Sequence, residues 1–81
     1  MNILGKEFIT EHMPQGWVIC EELKYGVFNI IDKKLSNRKH AKDKLQYIND
    51  SLVKDCEKRG VNPEQYWHYN GTKLLMKLIN K

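Results

Sequence analysis

Residues 36–60 read SNRKHAKDKLQYINDSLVKDCEKRG, and this stretch decides the fold. Ala41, Leu45, Ile48, Leu52 and Cys56 recur at spacings of four, three, four and four, the repeat of one helical face. Ser36 or Asn37 supplies a side-chain oxygen to cap the first free backbone N–H groups. Lys58 and Arg59 sit in the last turn, where the helix dipole favours cations, and Gly60 takes the left-handed conformation that ends a helix. The spacing therefore predicts a helix over 37–59, with one apolar stripe that needs something to cover.

The segment ahead of it supplies that surface. Trp17, Val18, Ile19 and Cys20, then Val27, Phe28, Ile30 and Ile31, favour extended backbone and predict strands over 17–23 and 26–32. Lys24, Tyr25 and Gly26 form the turn of an antiparallel hairpin. A lone hairpin is marginal in water, so it requires a helix on one face. Residues 5–13 read as a short helix burying Phe8 and Ile9 and stopped by Pro14 and Gly16, or as an edge strand within residues 2–10. After Gly60, Asn62 caps and Pro63 suits the first position of another helix over 64–79. In one continuous helix Trp67, Leu74, Leu75, Leu78 and Ile79 share a side, and Tyr66, Lys73, Lys77 and Lys81 share another. Asn70-Gly71 offers a rival hairpin there. The expected architecture is α+β: a small antiparallel β-hairpin or sheet packed by two C-terminal helices, in a single domain over 1–81.

The chain has 81 residues, so its core is small, burying about 60% of the unfolded surface. A large cofactor-binding enzyme is excluded by length. No apolar run approaches the roughly 18 residues of a membrane span. Lys6 and Glu7 stand where a signal peptide would need its apolar stretch, so the expected compartment is cytoplasmic and reducing. Cys20 and Cys56 are then free thiols at core positions. The Asn49-Asp50-Ser51 and Asn70-Gly71-Thr72 sequons matter only in a secreted protein.

Charge is unevenly placed. The net charge is +4. Residues 1–32 set Lys6 and Lys24 against Glu7, Glu11, Glu21, Glu22 and Asp32, and everything basic beyond that balance lies after residue 32. The densest patch is Lys33, Lys34, Arg38, Lys39, Lys42 and Lys44, broken only by Asp43. A basic cluster on one half of a small domain fits an anionic partner; a solvated, solubilising face is the simpler reading of charge alone.

Catalytic chemistry finds no foothold. His12, His40 and His68 stand far apart, and no cysteine or histidine pair has zinc-ligand spacing, so neither metal nor other cofactor is expected. Glu21 and Glu22, as neighbours in a strand, point to opposite faces and read as solvated charges. The glycines are scattered and form no phosphate-cradling loop. The chain is therefore expected to be a binding protein rather than an enzyme.

Residues 37–42, Asn-Arg-Lys-His-Ala-Lys, open a helix that follows a hairpin. Over about 26–56 this resembles the second half of the double-stranded RNA-binding domain. There a strand leads to a cap residue, two basic residues, any residue, then Ala and Lys. Asn37 stands in the usual Ser place, Arg38 and Lys39 form the basic pair, Ala41 and Lys42 follow, and Leu45 takes the next small apolar place. The resemblance implies RNA, double-stranded in that family, contacted by Arg38, Lys39 and Lys42 with help from Lys33 and Lys34. It also implies a third strand and a leading helix with contacts of its own. Helix-start amides and cations suit phosphates facing them across a groove, and A-form RNA is read by shape, phosphate and 2′-OH.

A second candidate surface is Tyr66-Trp67-His68-Tyr69. Aromatic side chains stack bases or anchor protein interfaces. With Trp67 assigned to the core, Tyr66 and Tyr69, with the exposed hairpin edge, are the candidates for binding a protein. In size, lysine bias and lack of catalytic apparatus the chain resembles small accessory proteins of tailed phages. That resemblance implies a host or toxin protein as target, in the host cytoplasm, bound with or without RNA.

Overall fold

Four strands precede three helices in a computed structural model of the chain, which describes residues 1–24, 26–32 and 35–80. The strands are β1 (Asn2–Ile3), β2 (Lys6–Met13), β3 (Gly16–Lys24) and β4 (Val27–Ile30), paired antiparallel in sequence order. Helix α1 spans Arg38–Arg59; a 3₁₀ turn at Pro63–Gln65 then leads into α2 (Tyr66–Asn70) and α3 (Lys73–Ile79). The α+β expectation holds, with a sheet rather than a bare hairpin.

Of the two alternatives for this segment, the strand is the one realised, as β2 over Lys6–Met13. The register runs from Phe8 opposite Glu21 to Met13 opposite Gly16, so Pro14 and Gln15 are a hairpin turn rather than a helix stop. Alternation then assigns the two faces. Lys6, Phe8, Thr10 and His12 share one face with Trp17, Ile19 and Glu21; Glu7, Ile9 and Glu11 share the other with Val18 and Cys20. The first of these is the helix side, because Ile3, Phe8 and Ile19 belong to one buried cluster with Ala41, Leu45, Ile48, Leu52 and Cys56 of α1. Strands β1 and β2 precede the hairpin, and among the described residues no helix comes before the sheet.

Helix α1 begins and ends as its local sequence directs. Asn37 is the cap, its Oδ1 accepting from the His40 N–H at 2.8 Å. Gly60, at φ 65°, donates its N–H to the Cys56 and Glu57 carbonyls.

The C-terminal segment is helical but broken. Gly71 sits at φ 62°, ψ −151°, a region that essentially only glycine occupies. A continuous helix would place Tyr66 among the lysines. The break reorients α2, so that Tyr66 is only 1% exposed while Lys73 and Lys77 remain outside. Leu75, Leu78 and Ile79 of α3 complete the core as expected.

Ion pairs tie the layers together. Glu21 is buried rather than solvated, and accepts from Lys6 Nζ at 2.7 Å. The same ammonium lies 5.2 Å from the Trp67 ring centroid, and the Trp67 indole donates to the Ile3 carbonyl at 3.3 Å. Lys44 pairs with Asp32 and donates to the Ile79 carbonyl at 2.8 Å, joining the β4–α1 connection, α1 and the end of α3.

Two expectations follow. Leu45→Ala and Leu52→Ala should each cost about 2–5 kcal/mol in urea unfolding, through lost transfer energy and a residual cavity. Gly71→Ala should cost about 1–3 kcal/mol by backbone strain alone, since a Cβ there meets nothing within 4 Å. Wild-type stability for Gly71→Ala would contradict the broken-helix geometry.

Candidate functional site

The start of α1 gathers three exposed cations that form no ion pair among the described residues. Ala41 and Leu45 are buried against the sheet, which turns Arg38, Lys39 and Lys42 to solvent. None of the three makes an ion pair or side-chain hydrogen bond among the described residues. The first turn contains no acidic residue. Unfilled backbone N–H groups make that end of a helix partially positive, so Arg38 and Lys39 in the first turn oppose the dipole, each by about 0.3–1 kcal/mol. The arrangement weakens the helix slightly and produces a local positive field.

Other members of the basic stretch separate. Lys44 is not part of the exposed patch: two residues beyond Lys42, about 200° further round the helix, it points inward to Asp32. Lys33 and Lys34 lie outside the described residues. His40 is exposed, with its Nδ1 3.2 Å from the Ser36 hydroxyl.

The aromatic stretch divides. Tyr66 is core, which removes it as a docking residue: its hydroxyl donates to Asp55 Oδ2 at 2.6 Å, and its ring meets Trp67 edge-on at 5.5 Å. Arg59 Nε donates to the same Asp55 oxygen at 2.9 Å. Tyr69 is 70% exposed and remains available, beside a shallow depression with Arg59 and Lys73. The Asp55–Arg59 pair was legible from its i, i+4 spacing, but nothing local announced that Tyr66 would cap it from eleven residues away.

Both thiols are free and buried. Cys20 is buried, and its thiol is pushed up first by desolvation and then by the charge of Glu11. Cys56 donates its Sγ–H to the Val61 carbonyl at 3.1 Å. Among the described residues no group of His, Cys, Asp and Glu gathers to hold a metal ion, and no helix is long and apolar enough to cross a membrane.

Comparison with protein-family models, with curated proteins and with solved structures finds no match in any of the three.

The Tyr66–Asp55–Arg59 cluster makes a pH prediction. The Tyr66 hydroxyl, with Arg59 assisting, holds the Asp55 carboxyl below its usual range. A depressed carboxylate contributes stability that is full above its unfolded pKa of about 4 and is lost as pH falls through the folded value. Burial, then Asp55, pushes the Tyr66 phenol far above its ordinary value, so its contribution is present below about pH 10 and is lost only on strong alkalinisation. Tyr66→Phe should therefore cost about 1.5–3 kcal/mol at neutral pH, and the deficit should shrink below about pH 4. Unfolding curves at several pH values test this; a deficit independent of pH in the acid limb would contradict it.

Proposed function

We propose that the protein binds RNA duplex through the first two turns of α1, with Arg38, Lys39 and Lys42 on phosphates and the helix-start amides beside them. The observation that carries this reading is the set of three exposed cations without carboxylate partners, at the helix end where cations are least favoured. A merely solubilising face would gain the same hydration from cations at the other end of α1, without opposing the dipole. The Asn-Arg-Lys-His-Ala-Lys motif that resembles the double-stranded RNA-binding domain occupies these turns, and the sheet leads directly into them. The leading helix of that family has no counterpart here, so the reading rests on α1 and on what Lys33 and Lys34 add.

The test is binding of the purified, nuclease-treated protein to labelled double-stranded RNA, with double-stranded DNA and single-stranded RNA alongside, at several salt concentrations. The expected result is preference for RNA duplex, with log K falling against log salt at a slope of roughly −3 to −4. The double variant Arg38→Glu, Lys39→Glu should abolish binding. Because acids suit a helix start, the same variant should be no less stable than wild type, and should gain up to about 1 kcal/mol per site. That gain separates lost binding from lost folding. A salt-independent affinity, or full binding by the double variant, would overturn the reading.

A further inference from the structure

We infer that β4 is a dimerisation edge, pairing antiparallel with β4 of a second copy of this chain about a two-fold axis at Asn29. All four residues of β4 are exposed, and the strand lies at the margin of the sheet. Val27 is 57%, Phe28 40% and Ile30 43% exposed. The large exposed apolar side chains of the described residues gather here: Leu23, Val27, Phe28, Ile30 and, across a groove, Met76, against Met1, Tyr47 and Tyr69 elsewhere. Val27–Ile30 carries no proline and no charge, and the edge is blunted only by its short length and a register shift against β3 at Glu22/Lys24.

The backbone bonds specify the register. The Ile31 N–H donates to the Ile19 carbonyl at 2.9 Å, so the odd-numbered residues of this segment direct their backbone groups to β3. Phe28 and Ile30 then direct theirs outward, free to meet an added strand. A two-fold axis at Asn29 places Phe28 opposite Ile30 of the second copy, and Ile30 opposite its Phe28. Each such pair exchanges both N–H···O bonds, so every outward group of the two residues is used.

Side chains agree with that register. Phe28 and Ile30 lie on the face of the sheet away from α1, because Phe28 is opposite Glu22 and Ile30 opposite Cys20. Val27 falls on the helix side, opposite Ile31 of the second copy. There the groove between β4 and α3, lined by Asn29, Ile31, Leu75, Met76 and Ile79, receives it. Apolar residues therefore oppose apolar residues on the face away from α1, and on the helix side Val27 meets Ile31 while Asn29 meets its own copy at the axis.

A second copy fits this edge better than an unrelated strand for two reasons. In a chain that is 30% charged, residues 27–31 carry no charge, so juxtaposing two identical strands costs no repulsion. The pattern is also self-complementary about Asn29, as a two-fold interface demands. Covering these side chains and the strand backbone removes less than the roughly 1,000 Å² that a stable specific interface clears, which places the contact in the weak, transient class. The expected dimer is correspondingly weak, with a dissociation constant on the order of tens of micromolar.

The test is sedimentation velocity of the full chain from about 1 µM to about 1 mM, bracketing that affinity. A concentration-dependent monomer–dimer equilibrium is expected, reduced at least tenfold in Phe28→Glu and in Ile30→Lys, whose exposed positions leave the fold intact by circular dichroism. Asn29→Cys supplies an independent readout. Residues facing each other in a non-hydrogen-bonded pair have Cα atoms about 4.5 Å apart, within disulfide range. Mild oxidation should therefore crosslink Asn29→Cys rapidly, and a cysteine at the exposed, remote Lys54 slowly. A single monomeric species across the whole range would overturn the proposal. So would a dimer that both charge variants leave intact, or equal crosslinking at the two cysteines.

Discussion

The fold depends on one contact: the stripe Ala41, Leu45, Ile48, Leu52 and Cys56 of α1 laid across Ile3, Phe8 and Ile19 of the sheet. A single sheet does not bury enough apolar surface by itself, and a helix of this polarity has only one face to offer. Each element is therefore stable only through the other. The remaining parts arrange themselves around that contact: α2 and α3 close its far side with Tyr66, Leu75, Leu78 and Ile79.

Charge follows the same geometry. Carboxylates near the core, Glu21, Asp32 and Asp55, are each matched by a cation or a hydroxyl from another element or another turn. Such pairs add little net stability, but each becomes costly if one partner is removed. They fix how the layers sit, as Lys44 shows by reaching both Asp32 and the end of α3. Arg38, Lys39 and Lys42 are unpaired among the described residues, as other surface lysines are, but they stand together at the start of the long helix, where its dipole disfavours cations. Functional interpretation therefore starts from Arg38, Lys39 and Lys42 and not from the count of lysines.

The apolar residues divide in a similar way. Ile19 and Phe8 are buried by the helices, whereas Phe28 and Ile30, equally suited to a core by composition, stay at the margin because no helix reaches β4's open face. A strand with that sequence and no cover has its backbone groups and its side chains both unsatisfied on one side. The basic helix start and this bare edge are separate features, built from different elements of the sheet–helix layer.

By itself the sequence determined what local chemistry controls. The limits of α1 follow from Asn37, from the five-residue stripe and from Gly60, and the β3–β4 hairpin follows from its β-branched and aromatic runs; all of these act within a few residues. Exposure of Arg38, Lys39 and Lys42 was legible too, since burying Ala41 and Leu45 leaves them no other direction. Only the tertiary structure decided the rest. Residues 6–13 are strand because β3 offers a pairing edge, which outweighs a weak helical pattern. Tyr66 is core and Lys44 is paired because the break at Gly71 brings α2 to Asp55 and α3 to Lys44. Those outcomes rest on contacts between residues 11 to 35 positions apart, and no spacing rule along a single element reaches that far.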